Sequence, residues 1–103
     1  MSLNMTPTTI LSKVADALVA TQQYASVEEA LWGLALTAAH NKVVYYQRRI
    51  RRLERKYGVD FDTFTCRLQG QATPAAEDDW LRWRSAHNML IDWRLTYSST
   101  LVL

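Results

Sequence analysis

At 103 residues the chain is the size of one small domain. A hydrophobic fraction of 49% with three Gly and two Pro excludes a disordered chain and a loop-rich all-β fold. The lone Cys66 rules out an internal disulfide, a net charge of +2 is only mildly basic, and no run of about 18 apolar residues is present for a membrane span. An all-α fold in a reducing, cytoplasmic setting is the expectation.

Residues 1–5, Met-Ser-Leu-Asn-Met, lack the basic head and apolar middle of a secretory signal, and are set aside as a disordered or expression-derived head. Thr6-Pro7 then matches a helix start, a hydroxyl N-cap followed by proline at the first helical position. Ile10, Val14, Ala17 and Leu18 form one face of this helix. It must end before Tyr24 and Ala25, because Ser26-Val27-Glu28-Glu29 is a capping box in which Glu29 is placed to reach back to the Ser26 amide.

The second helix runs from there to Tyr57 and stops at Gly58, with Arg55 and Lys56 in the last turn, where positive charge complements the helix dipole. Trp32, Leu36, Ala39, Val43, Tyr46, Ile50, Leu53 and Tyr57 recur along it in steps of four and three. A short third helix follows Asp60, with Phe61, Phe64 and Leu68 on one side and Gly70 as its stop. Thr73-Pro74 opens the last helix, with Glu77, Asp78 and Asp79 early in it and Trp80, Trp83, Ala86, Leu90, Trp93 and Tyr97 as an inward stripe. The result is a small helical bundle over residues 6–97, followed by a flexible tail at 98–103.

Length adds a constraint. A continuous helix from Val27 to Tyr57 extends about 45 Å at 1.5 Å per residue, whereas a domain of this size has a diameter of roughly 33 Å. Either the helix bends near Gly33 or His40, or a second chain covers the overhang. The sustained heptad favours a two-fold homodimer with Trp32, Leu36, Val43, Tyr46, Ile50, Leu53 and Tyr57 as its seam.

Charge is segregated along the chain. Lys42 to Lys56 holds seven basic residues and one acid, so this stretch carries +6 and the remainder −4. Arg48, Arg49, Arg51, Arg52, Arg55 and Lys56, flanked by Tyr45 and Tyr46, could grip phosphates or an acidic protein. The plainer reading is a solvated face whose cations pair with Glu77, Asp78 and Asp79. No helix-turn-helix, ribbon or zinc signature accompanies the basic run.

Chemistry-bearing residues are sparse. His40 and His87 have no second histidine or cysteine at ligand spacing, so neither marks a metal site. Cys66 has no base nearby in sequence and reads as a small core thiol. The tryptophans Trp80, Trp83 and Trp93 share one stripe and read as core. Adjacent carboxylates at Glu77, Asp78 and Asp79 point in different directions, which favours a helix-start role over a cation site shared with Asp92. No cofactor, no metal and no catalytic residue are expected.

The segment from Arg51 to Leu68, followed by Glu77 to Trp83, resembles small all-helical bacterial antitoxin-like proteins encoded beside toxins. In those proteins a helix ends in Glu-x-Lys/Arg-Tyr-Gly, a short helix carries Phe-x-x-Phe-x-x-x-Leu, and an acidic stretch leads into a Trp-containing helix. Glu54, Lys56, Tyr57, Gly58, Phe61, Phe64, Leu68, Asp78, Asp79, Trp80 and Trp83 occupy the matching positions. The resemblance implies a non-enzymatic module that neutralises a partner protein, such as a cognate toxin, through a helical surface. A nucleic-acid binder using Arg48 to Lys56 is the alternative.

Overall fold

The computed structural model describes residues 6–101, so the head at 1–5 and the end of the tail lie outside the described residues. Four helices and no strand occur among those described: α1 (Pro7–Ala20), α2 (Val27–Tyr57), α3 (Phe61–Leu68) and α4 (Pro74–Leu101). The all-α class and the long second helix are as the sequence predicts. No helix among the described residues is long and apolar enough to cross a membrane.

Local capping accounts for the helix boundaries. Thr6 Oγ1 accepts from the Thr9 amide at 3.1 Å, Asp60 Oδ1 from the Thr63 amide at 2.8 Å, and Thr73 Oγ1 from the Ala76 amide at 3.1 Å. Each satisfies one of the amides that a helix start leaves without a partner. At α2, Ser26 Oγ accepts from the Glu29 amide at 3.2 Å, while the Glu29 carboxylate accepts from the Ala25 amide, one residue earlier than expected, at 3.3 Å. Gly58 takes φ +69 just past α2 and donates its amide to the Glu54 carbonyl at 2.7 Å, a left-handed cap that glycine adopts without steric cost.

The last helix departs from expectation. Instead of ending at Tyr97, α4 continues to Leu101. Thr96 Oγ1 donates to the Asp92 carbonyl at 2.9 Å and Thr100 Oγ1 to the Thr96 carbonyl at 2.8 Å, which accommodates these β-branched residues within the helix.

The chain groups into two compact units, one up to Ala38 and one from Ala39 onward. The boundary falls in the part of α2 richest in small residues, Gly33, Ala35, Ala38 and Ala39, which offer little side-chain area for packing. In the first unit Ala15 and Ala30 are fully buried, while Ile10, Leu11 and Val14 stay exposed. The buried face of α1 is therefore centred on Ala15 rather than Ile10 and Val14, a rotation of about 100° for one residue. Gly33 lies under the Tyr24 phenol so closely that any Cβ there would overlap the ring.

In the second unit Ile50, Phe64, Trp83, Ala86 and Leu90 form the core, with Val43, Tyr46, Leu53 and Tyr57 packed against it. The later part of the heptad stripe, Val43, Tyr46, Ile50, Leu53 and Tyr57, thus packs within the chain against α3 and α4. Trp32, the first residue of that stripe, is 40% exposed, and Leu36 is half-buried. Aromatic rings knit the core. Tyr57 and Phe64 centroids lie 4.2 Å apart, Phe64 and Trp83 5.4 Å, and Phe61 and Trp83 5.6 Å. Trp83 is wholly buried, Trp80 and Trp93 partly so, and Trp80 Nε1 donates to Thr65 Oγ1 at 2.9 Å.

Cys66 is exposed, contrary to the expected core thiol. Two residues along a helix turn through about 200°, so burying Phe64 sends Cys66 to the solvent side of α3.

Candidate interaction site

At about 100° per residue, Arg48, Arg49, Arg51, Arg52, Arg55 and Lys56 fall on one arc of α2 roughly 160° wide. Val43, Tyr46, Ile50, Leu53 and Tyr57 occupy the opposite side. The core stripe therefore fixes where the cations point: anchoring Ile50 and Tyr57 against α3 and α4 turns the basic arc outward. All six are exposed except Arg49, which is half-buried.

Tyr45 lies on the same arc and is held by its neighbours. Its Oη accepts from Arg49 Nη1 at 2.9 Å, and its ring meets the Tyr46 ring edge-on at 4.9 Å. The Lys42 ammonium and the Arg49 guanidinium lie 5.8 Å and 5.6 Å from the ring centroid, within cation–π range.

Across from this arc α4 supplies a buried carboxylate. Asp79 Oδ2 accepts from Lys56 Nζ at 2.7 Å and also from the Tyr57 hydroxyl, while Arg82 Nη1 stands 3.6 Å from Oδ1. The hydrogen bond from Lys56, then that from Tyr57, holds the Asp79 carboxyl below the usual range against the opposing effect of burial. The same hydrogen bonds to Asp79 raise Lys56 and Tyr57 in turn. Hydrogen bonding to Thr63 also lowers the exposed Asp60 N-cap.

These groups border two clefts between α2 and α4 that share Arg49 and Arg82. One of 240 Å³ is lined by Arg49, Arg52, Leu53, Lys56, Asp79 and Arg82. Its neighbour, of 390 Å³, shares Arg49 and Arg82 and is otherwise lined by Tyr45, Tyr46, Leu81, Ser85 and Ala86. A further cleft, of 430 Å³, runs along the outer face of α2 alone, beside Asn41, Val44, Tyr45, Arg48, Arg49 and Arg52. Arg49 borders all three, and the two between α2 and α4 form a groove cationic at one end and aromatic and apolar at the other.

The expected neutralisation by the acids of α4 is realised only in part. Lys56 pairs with Asp79, and Glu77 and Asp78 remain exposed. Arg48, Arg49, Arg51, Arg52 and Arg55 have no carboxylate at ion-pair distance among the described residues. Sequence reasoning missed Arg82 as a member of the site and Asp79 as its buried carboxylate. A signal for Asp79 was available, since it precedes Trp83, Ala86 and Leu90 in steps of four, three and four and so lies on the buried stripe of α4.

The remaining candidates stand apart from this groove. His40 is exposed and its ring lies 5.9 Å from that of Tyr97. His87 packs on Phe61 at 5.4 Å. No group of three His, Cys, Asp or Glu side chains is arranged to hold a metal ion among the described residues. No protein-family model, curated protein or solved structure matches the chain.

Proposed function

We propose that the protein is a non-enzymatic interaction module that holds an acidic partner protein against the basic arc of α2. The observation carrying this reading is the set of five arginines, Arg48, Arg49, Arg51, Arg52 and Arg55, without intramolecular ion pairs among the described residues. Like charges gathered on one rigid face repel one another, and an acidic surface relieves that repulsion while steering encounter. The antitoxin-like resemblance supplies the class of partner, a toxin-like protein from an adjacent reading frame.

Nucleic acid is the second reading, favoured by the number and alignment of the cations. The absence of a helix-turn-helix, ribbon or zinc signature beside the basic run weighs against it, although Tyr45 is 47% exposed on the arc. A homodimer belongs to the same proposal, with Trp32 as the exposed residue of the heptad stripe.

Nuclease-treated host extract, passed over the wild-type chain and over an Arg48→Glu/Arg52→Glu variant, tests the reading. An acidic neighbouring-frame protein should bind the first and not the second, and should re-form the complex when both are purified. Retention of nucleic acid in untreated extract, with no protein retained, would replace this reading with the alternative. Light scattering across a dilution series should give twice the chain mass; a monomer throughout removes the homodimer.

A further inference from the structure

We infer that the groove between α2 and α4 is a specific seat for an acidic–apolar peptide segment, taking a carboxylate among Arg49, Arg52, Lys56 and Arg82 and the adjoining apolar side chain beside Tyr46, Leu81 and Ala86. The inference rests on the proposed acidic partner and names the part of the basic arc that recognises it.

Three observations carry it. The cationic cleft is lined by four positive side chains and one carboxylate, so it retains excess positive charge even with Asp79 ionised. Asp79 also serves the site. By accepting from Lys56 and standing near Arg82, it keeps two cations from different helices turned toward one space. Finally, the cleft adjoins one whose walls are largely aromatic and aliphatic, with Leu81 55% exposed. A carboxylate beside an apolar side chain satisfies both ends, whereas a bare polyanion leaves the apolar end uncovered. Arginine forks suit carboxylate geometry.

The outer cations Arg51 and Arg55 lie on the far edge of the same arc and line none of the three clefts. They provide the control. Fluorescence anisotropy of two labelled peptides, one of glutamate alone and one of glutamate interrupted by leucine, is measured with the full chain at low salt. The leucine-bearing peptide should bind about tenfold more tightly, as expected for burying one such side chain. Arg49→Glu/Arg52→Glu should weaken it by about a hundredfold, and Arg51→Glu/Arg55→Glu, with the same change in net charge, by less than about threefold. Thermal melts verify that both variants fold, and Arg82→Gln, altering the groove from α4, should weaken binding by about tenfold.

Equal losses in the two double variants, or no effect of leucine, would overturn the groove and leave the acidic-partner reading in place. Failure of both peptides to bind would overturn that reading as well. Displacement of the peptide by duplex DNA at lower concentration than by unlabelled peptide would assign the groove to nucleic acid and sink the inference.

Discussion

Lys56 on α2 donates to the carboxylate of Asp79 on α4 at 2.7 Å, with the lysine side chain 60% exposed and the aspartate side chain only 8% exposed. The two ends of this pair have unequal energetic consequences. Water can replace the carboxylate as partner for Lys56, whereas the buried carboxylate depends on the protein for its hydrogen bonds. Asp79→Ala should therefore destabilise the second unit by about 1–3 kcal/mol, and Lys56→Met should do much less. Urea melts followed by tryptophan fluorescence compare the two. A larger loss for Lys56→Met would reverse the assignment.

The same pair sets a pH dependence. Asp79 is lowered in the folded protein, so its contribution is present above the unfolded carboxyl value and is lost as pH falls through the folded one. Lys56 and Tyr57 are raised, so theirs is present below their unfolded values and is lost as pH rises through the folded ones. Stability should be nearly flat between about pH 5 and 9, with an acid decline beginning below about pH 4. In melts against pH, Asp79→Asn should remove much of the acid decline. An unchanged decline would assign it to other carboxylates, including the lowered Asp60.

Phe64 and Cys66 separate the two sides of α3. Phe64→Ala empties a buried site that contacts Tyr57 and Trp83, and should cost about 3–5 kcal/mol. Cys66→Ser changes an exposed side chain and should stay within about 0.5 kcal/mol. Denaturation midpoints check both, and a large loss for Cys66→Ser would mean that α3 is rotated.

Gly33 and Tyr24 form a coupled pair in the first unit. Alanine favours a helix interior over glycine by about 1 kcal/mol, but at Gly33 the added methyl must displace the Tyr24 phenol. Gly33→Ala should be neutral or destabilising alone and stabilising by about 1 kcal/mol in a Tyr24→Ala background. Equal effects in the two backgrounds would show that the ring does not constrain this glycine.

Much of the fold is legible in the sequence because its signals are local. Thr6-Pro7, Ser26 with Glu29, Asp60 and Thr73 mark helix starts through bonds spanning three or four residues, and Gly58 ends α2 through its own backbone freedom. The basic arc is legible for the same reason, since the turn per residue alone places Arg48 to Lys56 opposite Ile50 and Tyr57. Residues outside those local rules carry no such short-range signal. Ser98 to Leu101 lack apolar periodicity, yet they are helical, and Thr100 Oγ1 donates to the carbonyl of Thr96 four residues back.

The sequence by itself determined the four helices, most of their ends and the two faces of α2, because periodicity and capping act over one or two turns. Only the tertiary structure decided that Val43, Tyr46, Ile50, Leu53 and Tyr57 face α3 and α4 of the same chain, that Asp79 is buried, and that Arg82 joins Arg49 across a groove. It also decided that the chain groups into two units and that Cys66 faces solvent. These outcomes depend on which helix covers which face, a competition among contacts distant in sequence that no local spacing records.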